Sequence, residues 1–404
     1  MPFLLPFLIL LLLVALFTRV DAFFYLLYVL FGVVILGRLW SRRALHSVAV
    51  QRMHNSRAFQ GEEVDVRLEV TNRGWLPVLW LRLQDAVPAP LVQTGARGSR
   101  QVVSLGPRER LTVGYRIRSQ HRGYYRLGPL VARSGDLLGS ATYETHPAGE
   151  GDTSFVIIYP HIVPLRELGL PSQSPFGTVP SRQRIFEDPT RPRGVRDYAP
   201  GDSLRQIDWK TSARLQSLQV RRFEPAIALT TAIFLNLDPA AYPVPYHITA
   251  PEMGIVVAAS VAAHLAGKRQ TVALATNGLD PLALPSVAGS APALPLRKGR
   301  EHLMHVLDLL ARIELGPESG TRPFLHLVVE QSLGLQWGST AVLITAGAED
   351  GLFEAMLTLR RRGLGVLLVM THPRGDEALT VRRAAQIGAQ AHAVEIEKDM
   401  DLWR

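Results

Sequence analysis

Two apolar segments open the chain, and their hydrophobic pattern is that of membrane helices. Residues 1–18 and residues 22–37 contain no charged side chain. Each segment is near the short end of the about 17–25 apolar residues that a membrane-spanning helix needs. One helix across both segments would bury Arg19 and Asp21 in hydrocarbon, which is costly. The pattern therefore predicts a transmembrane helical hairpin over residues 1–40, with both charges at the membrane interface.

The residues after the second segment predict the orientation of this hairpin. Five arginines lie within residues 38–57, and no acidic residue occurs between Asp21 and Glu62. An excess of basic side chains marks the cytoplasmic side of a membrane. A cleaved signal peptide is disfavoured because no basic residue precedes the first segment and a second apolar segment follows it directly. We therefore expect a multi-pass cell-membrane protein with two helices, both termini and the soluble domains in the cytoplasm.

The hydrophobic period changes to two in the next part of the chain. Between Glu63 and Val70, charged and apolar residues alternate strictly, as in a half-buried strand. Further short strands are expected over residues 78–83, 100–104, 111–118, 123–130 and 140–145, with turn residues between them. This spacing predicts a β-sandwich-like domain over residues 45–150, with a small barrel as the alternative.

Strand and helix patterns alternate in residues 226–404. Strands are expected over 228–238, 270–276, 341–345, 366–370 and 391–396, and helices over 253–266, 300–312, 324–333, 352–362 and 378–385. Residues 277–298 have the composition of a loop. The alternation predicts a doubly wound α/β domain with a mostly parallel sheet. Ligands of such sheets gather at the carboxyl ends of the strands, which here end in Asp238, Asn277, Thr345 and His372.

Composition and charge narrow the function classes. Hydrophobic residues make up 47% of the 404, which excludes a disordered chain, and the absence of cysteine excludes disulfides, zinc ribbons, iron–sulfur ligands and a cysteine nucleophile. The net charge of +9 lies in the amino-terminal half, because residues 226–404 contain 15 Lys and Arg against 17 Asp and Glu. Nucleic-acid binding is not expected, since the basic part lacks interleaved aromatic residues and a recognition helix.

The most distinctive residues lie in a connector, residues 151–225, between the two soluble domains. Pro200-Gly201 suits a tight turn, and Asp202 or Ser203 can cap a short helix after it. On that helix Arg205 and Asp208 are three residues apart and can pair. Trp209 offers a large apolar side chain, and Lys210 and Arg214 share one helical face.

This segment, which we call the signature, has two possible roles. As an internal latch, it would fasten the connector to the sheet by pairing Arg196, Arg205 and Arg214 with Asp197, Asp202 and Asp208. As an interaction surface, it would bind a partner protein. Charge pairing alone does not separate the two roles, because paired charges often serve only structure.

The signature also carries a family resemblance. The run is Tyr198-x-Pro200-Gly201-Asp202-x-x-Arg205-x-Ile207-Asp208-Trp209-Lys210-x-x-Ala213-Arg214. It resembles the signature of the bacterial family called Domain of Unknown Function fifty-eight, as do the apolar hairpin, the segment 122–129 and Gly135-Asp136. The resemblance implies a carboxy-terminal domain like von Willebrand factor type A. It also implies a non-enzymatic role beside a MoxR-type AAA+ ATPase in the assembly or maturation of cell-envelope protein complexes.

Two clusters contain residue types that bind metals, and we expect neither of them to bind a metal or another cofactor. Metal-binding type A domains place Asp-x-Ser-x-Ser after the first strand, whereas here Asp238 is followed by Ala240 and Tyr242, and Ala346 stands at the later aspartate position. One retained carboxylate holds Mg²⁺ poorly. We expect Asp238 to cap the next loop or to pair with a signature arginine. Glu301, His302, His305 and Asp308 are expected to form a solvated helix face.

The sequence is compatible with three functions. The preferred hypothesis is a membrane-anchored scaffold that is not an enzyme. A hydrolase or transferase using Asp202 and Asp208 is the first alternative, but Arg205 and Lys210 would hold both carboxylates ionised, and no nucleophile elbow, zinc helix or phosphate loop occurs. Binding of anionic lipid by the basic residues 38–57 is the second, and it would assist anchoring.

Overall fold

A computed structural model describes most of the chain. The residues described are 4–18, 20–94, 98–136, 139, 141–147, 153–165, 187–198, 207–225, 230–283, 292–317, 321–372 and 377–403. The chain divides into two compact units, Met1–His161 and Ile162–Arg404, except that Leu310–Arg312 group with the first.

The first unit begins with two helices that pack against each other, α1 (Leu4–Thr18) and α2 (Asp21–His46). By length and composition α2 could cross a membrane, whereas α1 is shorter. Leu36 is 68% exposed in the absence of lipid. The hairpin was predicted to end at residue 40, but helix α2 continues to His46. It continues because Ala44 and Leu45 in its last turn join the core of the strands that follow.

In the described residues of the first unit, eleven strands follow the helices, and they form three sheets. The orders are β1-β3-β7-β5, β10-β9-β4-β6 and β2-β11-β8, and among these described strands β2 and β11 form the single parallel pair. The strands are β1 (Val48–His54), β2 (Arg57–Phe59), β3 (Glu63–Asn72), β4 (Val78–Asp85), β5 (Leu91–Thr94), β6 (Arg100–Leu105), β7 (Arg110–Ser119), β8 (Gly123–Leu127), β9 (Leu130–Gly135), β10 (Thr142–Thr145) and β11 (Ser154–Tyr159).

The strands of this unit share one hydrophobic core. In β3, each apolar residue of the predicted alternation is buried, from Val64 to Val70. Leu81 from β4, Leu127 from β8 and Ile158 from β11 belong to the same core. Because β11 follows residue 150, this unit extends past the boundary expected there.

A buried ion pair joins strands of different sheets in the first unit. Arg52 on β1 donates through Nε and Nη2 to both carboxylate oxygens of Asp85 on β4, at 2.9 and 2.6 Å, and the Asp85 side chain is fully buried. The hydroxyl of Tyr115 on β7 donates to Asp85 Oδ2 at 2.6 Å. Burial and, secondarily, the Asp85 charge raise the pKa of Tyr115, so the phenol stays protonated.

The second unit contains an antiparallel strand pair followed by an α/β sheet. The pair is β12 (Glu187–Asp197) and β13 (Gln219–Pro225), with α3 (Trp209–Leu215) between them in sequence. The remaining elements are β14 (Thr230–Leu235), α4 (Thr249–Gly267), β15 (Thr271–Thr276), β16 (Ala293–Arg297), α5 (Arg300–Arg312), α6 (Phe324–Ser332), β17 (Thr340–Thr345), α7 (Asp350–Arg361), β18 (Gly365–Met370), α8 (Glu377–Gln386) and β19 (Gln390–Ala393).

The six-stranded sheet has the order β16-β15-β14-β17-β18-β19. All neighbours are parallel except β15 and β16. The mostly parallel sheet predicted for this region is therefore present. Strand β16 lies where a loop was predicted; its Pro295 is compatible with a position at the sheet edge.

Helix α4 is the core helix of this sheet. It is as long and apolar as a membrane span, but 67% of its most apolar window is buried inside the protein. Gly254 permits close packing, since a Cβ there would lie 3.3 Å from Leu235 Cδ1 and 3.4 Å from Ile344 Cγ2. The chain order reverses between β14 and β17, so their carboxyl ends flank the crevice where ligands of such sheets bind.

Candidate functional site

The structure describes six of the ten signature residues: Arg196, Tyr198, Asp208, Trp209, Lys210 and Arg214. Pro200, Gly201, Asp202 and Arg205 lie outside the described residues, and so does the cap predicted at Asp202 or Ser203. The described signature residues separate into one set that holds the local fold and another set that is exposed.

Asp208 belongs to the set that holds the local fold. It precedes α3 as its N-cap, and its Oδ1 accepts a hydrogen bond from the backbone N–H of Thr211 at 3.0 Å. Its Oδ2 accepts from Arg221 Nε on β13 at 3.1 Å. Asp208 therefore precedes the helix instead of lying within it, as was predicted, and its described ion-pair partner is Arg221; Arg205, the partner predicted for it, lies outside the described residues. The Thr211 hydrogen bond and then Arg221 lower the pKa of Asp208.

Further hydrogen bonds fasten the signature to β13. The backbone N–H of Tyr198 donates to Leu218 O at 2.8 Å, and the N–H of Gln219 donates to Ser212 Oγ at 2.8 Å. Gln219 Nε2 donates to Asp197 Oδ1. Amides, a hydroxyl and Arg221 therefore hold the described part of the signature against β13, whereas Asp202 and Arg205, which the predicted latch also needs, lie outside the described residues.

The described arginines of the signature have different surroundings. Arg196 Nη1 donates to the main-chain oxygen of Asp197 at 3.1 Å. Arg214 is exposed on the last turn of α3, and among the described residues it has no carboxylate partner.

The exposed set consists of Trp209, Lys210 and Arg214. Together with the exposed Leu215 and Leu218, which follow them in the chain, we call these residues the signature surface. Trp209 is 66% exposed and Leu215 is 56% exposed. A tryptophan usually buries much of its large ring. The signature surface therefore combines apolar area and positive charge, and it contains no acidic residue.

A second cluster of polar residues lies at the carboxyl edge of the α/β sheet. The Asn236 side chain donates to Thr345 Oγ1 at 3.0 Å, and its Oδ1 accepts from Asn277 Nδ2 at 3.0 Å and from the Asp238 N–H at 3.1 Å. Asn277 Oδ1 accepts from the Leu237 N–H at 2.6 Å. Two buried amides thus connect the ends of β14, β15 and β17.

Asp238 caps the loop that follows β14, as predicted. Its Oδ1 accepts from the Ala240 N–H at 3.0 Å, at the start of a short 3₁₀ helix. The hydroxyl of Tyr242 donates to Asn236 O at 2.5 Å, and burial raises the pKa of Tyr242.

The residues at this edge do not fit Mg²⁺, which takes about six oxygen ligands. Asp238 supplies the single carboxylate of the loop after β14, Ala240 supplies none, and the Tyr242 oxygen is already engaged. Within the described parts of the chain, no three His, Asp or Glu side chains form a group able to hold a metal ion.

The cluster of Glu301, His302, His305 and Asp308 does not form the fully solvated helix face that was predicted. His302 is not on a solvated face: it is 7% exposed, and its Nε2 lies 2.9 Å from Val272 O. Burial lowers the pKa of His302, which favours the neutral ring. His302 therefore fastens α5 to β15. His305 is exposed and does not share this role.

A cleft of about 240 Å³ opens beside the buried amides, between the carboxyl ends of β14 and β17. Asn236 and Thr345 lie in it, together with Asp238 and Glu349. Side chains from the start of α6 complete the wall, among them Phe324 and Leu325. Sequence patterns identified the strand ends of this cleft, but not the contribution of α6.

Comparison with known proteins supports the family resemblance. Residues 194–332 match the model of the family described as "Protein of unknown function DUF58", which confirms what the signature indicated. "Uncharacterized protein YeaD" of Bacillus subtilis is 26% identical over 278 residues, 65% of this chain. The matched part spans 61% of the length of that relative.

Solved structures resemble the chain only slightly. A von Willebrand factor type A protein from Catenulispora acidiphila is 10% identical, covers 46% of this chain and 43% of its own, and has a TM-score of 0.30. The CARDB domain of PF1109 from Pyrococcus furiosus is 18% identical, covers 28% of this chain and 91% of its own, and has a TM-score of 0.20. Scores this low do not identify the fold of either unit.

Proposed function

Since residues 194–332 match the family of unknown function DUF58, we propose that the protein is a membrane-anchored scaffold or adaptor. It works with a MoxR-type AAA+ ATPase in the assembly or maturation of cell-envelope protein complexes, and it is not itself an enzyme. The amino-terminal helices anchor it, and the signature surface binds the ATPase.

The observation that supports this proposal is the exposure of Trp209. The residue immediately before it, Asp208, is fixed by Thr211 and Arg221, so the tryptophan is presented on a fixed backbone. Tryptophan and arginine, both present on the signature surface, are among the residue types that dominate binding energy in protein interfaces. Lys210 and Arg214 add positive charge, which favours an acidic surface on the ATPase.

Membrane anchoring rests on α2. Its apolar residues are exposed where lipid would cover them, and Arg42 and Arg43 follow near its end. The proposed topology places the loop between α1 and α2 outside the cytoplasm and both units inside it. Anionic lipid headgroups beside these arginines would strengthen the anchoring.

We also propose finer classes for the two units. The three sheets of the first unit around one core are consistent with a β-sandwich. In the second unit the strand order, counted from β14, is 3-2-1-4-5-6, the doubly wound order. A type A domain without its metal is consistent with this order and with Asp238 as the one retained carboxylate.

The chemistry of the signature favours binding over catalysis. Asp208, one of the two carboxylates that a hydrolase or transferase would use, has a lowered pKa and is engaged as a helix cap. A general acid needs a raised pKa near the working pH. The proposal therefore assigns Asp208 a structural role.

The test is recovery of the ATPase from native membranes with the tagged full-length protein. We expect the Trp209→Ala/Lys210→Glu variant to recover at least about tenfold less ATPase than the wild type, because the loss of a tryptophan from the centre of a protein interface commonly weakens binding by that much. The matched control is Trp75→Ala/Lys298→Glu, which changes a 73% exposed tryptophan and an exposed lysine elsewhere. Equal recovery with the variant, or no ATPase with the wild type, contradicts the proposal.

A further inference from the structure

The cleft at the carboxyl edge of the sheet has an excess of negative charge. Asp238 and Glu349 line it, and no described residue of its lining is basic. The charges around the cleft are already paired, because Asp350 bonds to Arg383 at 2.8 Å and Arg322 pairs with Glu330. Glu349 precedes α7 without forming a side-chain cap. Neither carboxylate of the cleft therefore has a cation beside it among the described residues.

The cleft also has apolar walls and a polar floor whose side chains already form hydrogen bonds within the protein. Phe324, Leu325 and Leu352 supply the walls. Asn236 and Thr345 form part of the floor, and their side chains already bond to each other at 3.0 Å. A cleft of about 240 Å³ is smaller than the roughly 300–1,000 Å³ of pockets for small-molecule ligands and cofactors. Its size suits a single side chain.

We propose that this cleft binds a basic side chain, arginine or lysine, of a partner protein. Such a side chain has a methylene stem that packs on apolar walls and a cationic head that bonds to carboxylates. The cleft offers both kinds of surface together, at the point where the strand order reverses. The site is separate in sequence from the signature surface, and its existence does not depend on the ATPase.

The probe is N-acetyl-arginine-methylamide, and the measurement is saturation-transfer NMR on the full-length protein in a zwitterionic detergent. We expect saturation of the arginine methylene protons in the wild type. The Asp238→Asn/Glu349→Gln variant should give a signal at least about fivefold weaker, from the loss of two partly exposed charge contacts. Glu354→Gln, which removes an exposed charge on α7 away from the cleft, is the matched control.

A neutral probe of the same shape, N-acetyl-citrulline-methylamide, should give no more signal than the double variant gives with arginine. Three outcomes overturn the proposal: equal signals for citrulline and arginine, no loss in the double variant, or no signal in the wild type. A fourth outcome also overturns the proposal, because it would identify a metal site instead. It is displacement of the arginine probe from the wild type by about 1 mM Mg²⁺, a concentration near the weakest dissociation constants of protein cation sites, without displacement by Na⁺ at the same ionic strength.

Discussion

At the residue scale, the polar side chains that matter most are buried and bonded across strands. Asn277 and Asn236 accept hydrogen bonds from the main-chain N–H groups of Leu237 and Asp238, just after β14, and they also bond to each other. In the first unit the side chains of Arg52 and Asp85 pair with each other between β1 and β4. A buried polar group costs free energy unless it is bonded, so these residues act in pairs.

The Arg52–Asp85 pair gives a prediction at this scale. Asp85→Asn leaves the Arg52 cation buried without its counter-charge, and we expect a loss of about 3–5 kcal/mol of stability. Hydrogen exchange of β1, β4 and β7 in the full-length protein measures it. Glu63→Gln is the control, because the Arg116–Glu63 pair is exposed and such pairs contribute about 0–1 kcal/mol. Equal protection in the two variants contradicts the prediction.

At the scale of elements, α3 is a seven-residue helix that depends on its cap and on β13. Helices this short are not stable alone in water. Asp208 bonds the first turn and Ser212 bonds Gln219, so the helix is held at both its start and its middle. This support is what allows Trp209 to remain exposed on a defined backbone.

Substitution at Asp208 separates the cap from the ion pair. We expect Asp208→Ala to accelerate hydrogen exchange in residues 207–216 more than Asp208→Asn does, because asparagine still caps a helix but carries no charge for Arg221. If both variants exchange alike, the cap does not hold the helix.

The pH dependence of the wild type tests the same contact. The pKa of Asp208 is lower in the folded protein than in the unfolded chain. The stabilisation is therefore present above the unfolded pKa of about 3.9 and is lost as the pH falls through the folded pKa. We expect protection of residues 207–216 to persist at pH 4, after correction for intrinsic exchange, and to fall only in stronger acid. Loss of protection already near pH 5 contradicts this.

At the scale of the whole molecule, the amino-terminal helices and the two units suggest one orientation in the membrane. The chain contains no cysteine, so single cysteines can be labelled without background. We expect an impermeant maleimide to label Val20→Cys in intact cells and to label Thr142→Cys only after permeabilisation, following the positive-inside rule. The reverse pattern contradicts the proposed topology.

Features that depend on local patterns follow from the order of the residues alone. The amino-terminal helices appear as long uncharged runs, and the alternation in β3 and the strand–helix succession after residue 230 are visible because burial repeats with the period of each element. The cap by Asp238 is local as well, since its partner Ala240 is two residues away. A single composite motif was enough to indicate the family.

Contacts between residues far apart in the chain become apparent in the folded protein alone. Asp208 pairs with Arg221 on β13, His302 is buried against Val272, and Asn236 bonds Thr345, 109 residues away. Strand β16 pairs at an edge despite its loop-like composition. Pairing across such separations is set by sheet order and packing, and no local pattern contains that information. The exposure of Trp209 and the charge of the cleft follow from these long-range contacts.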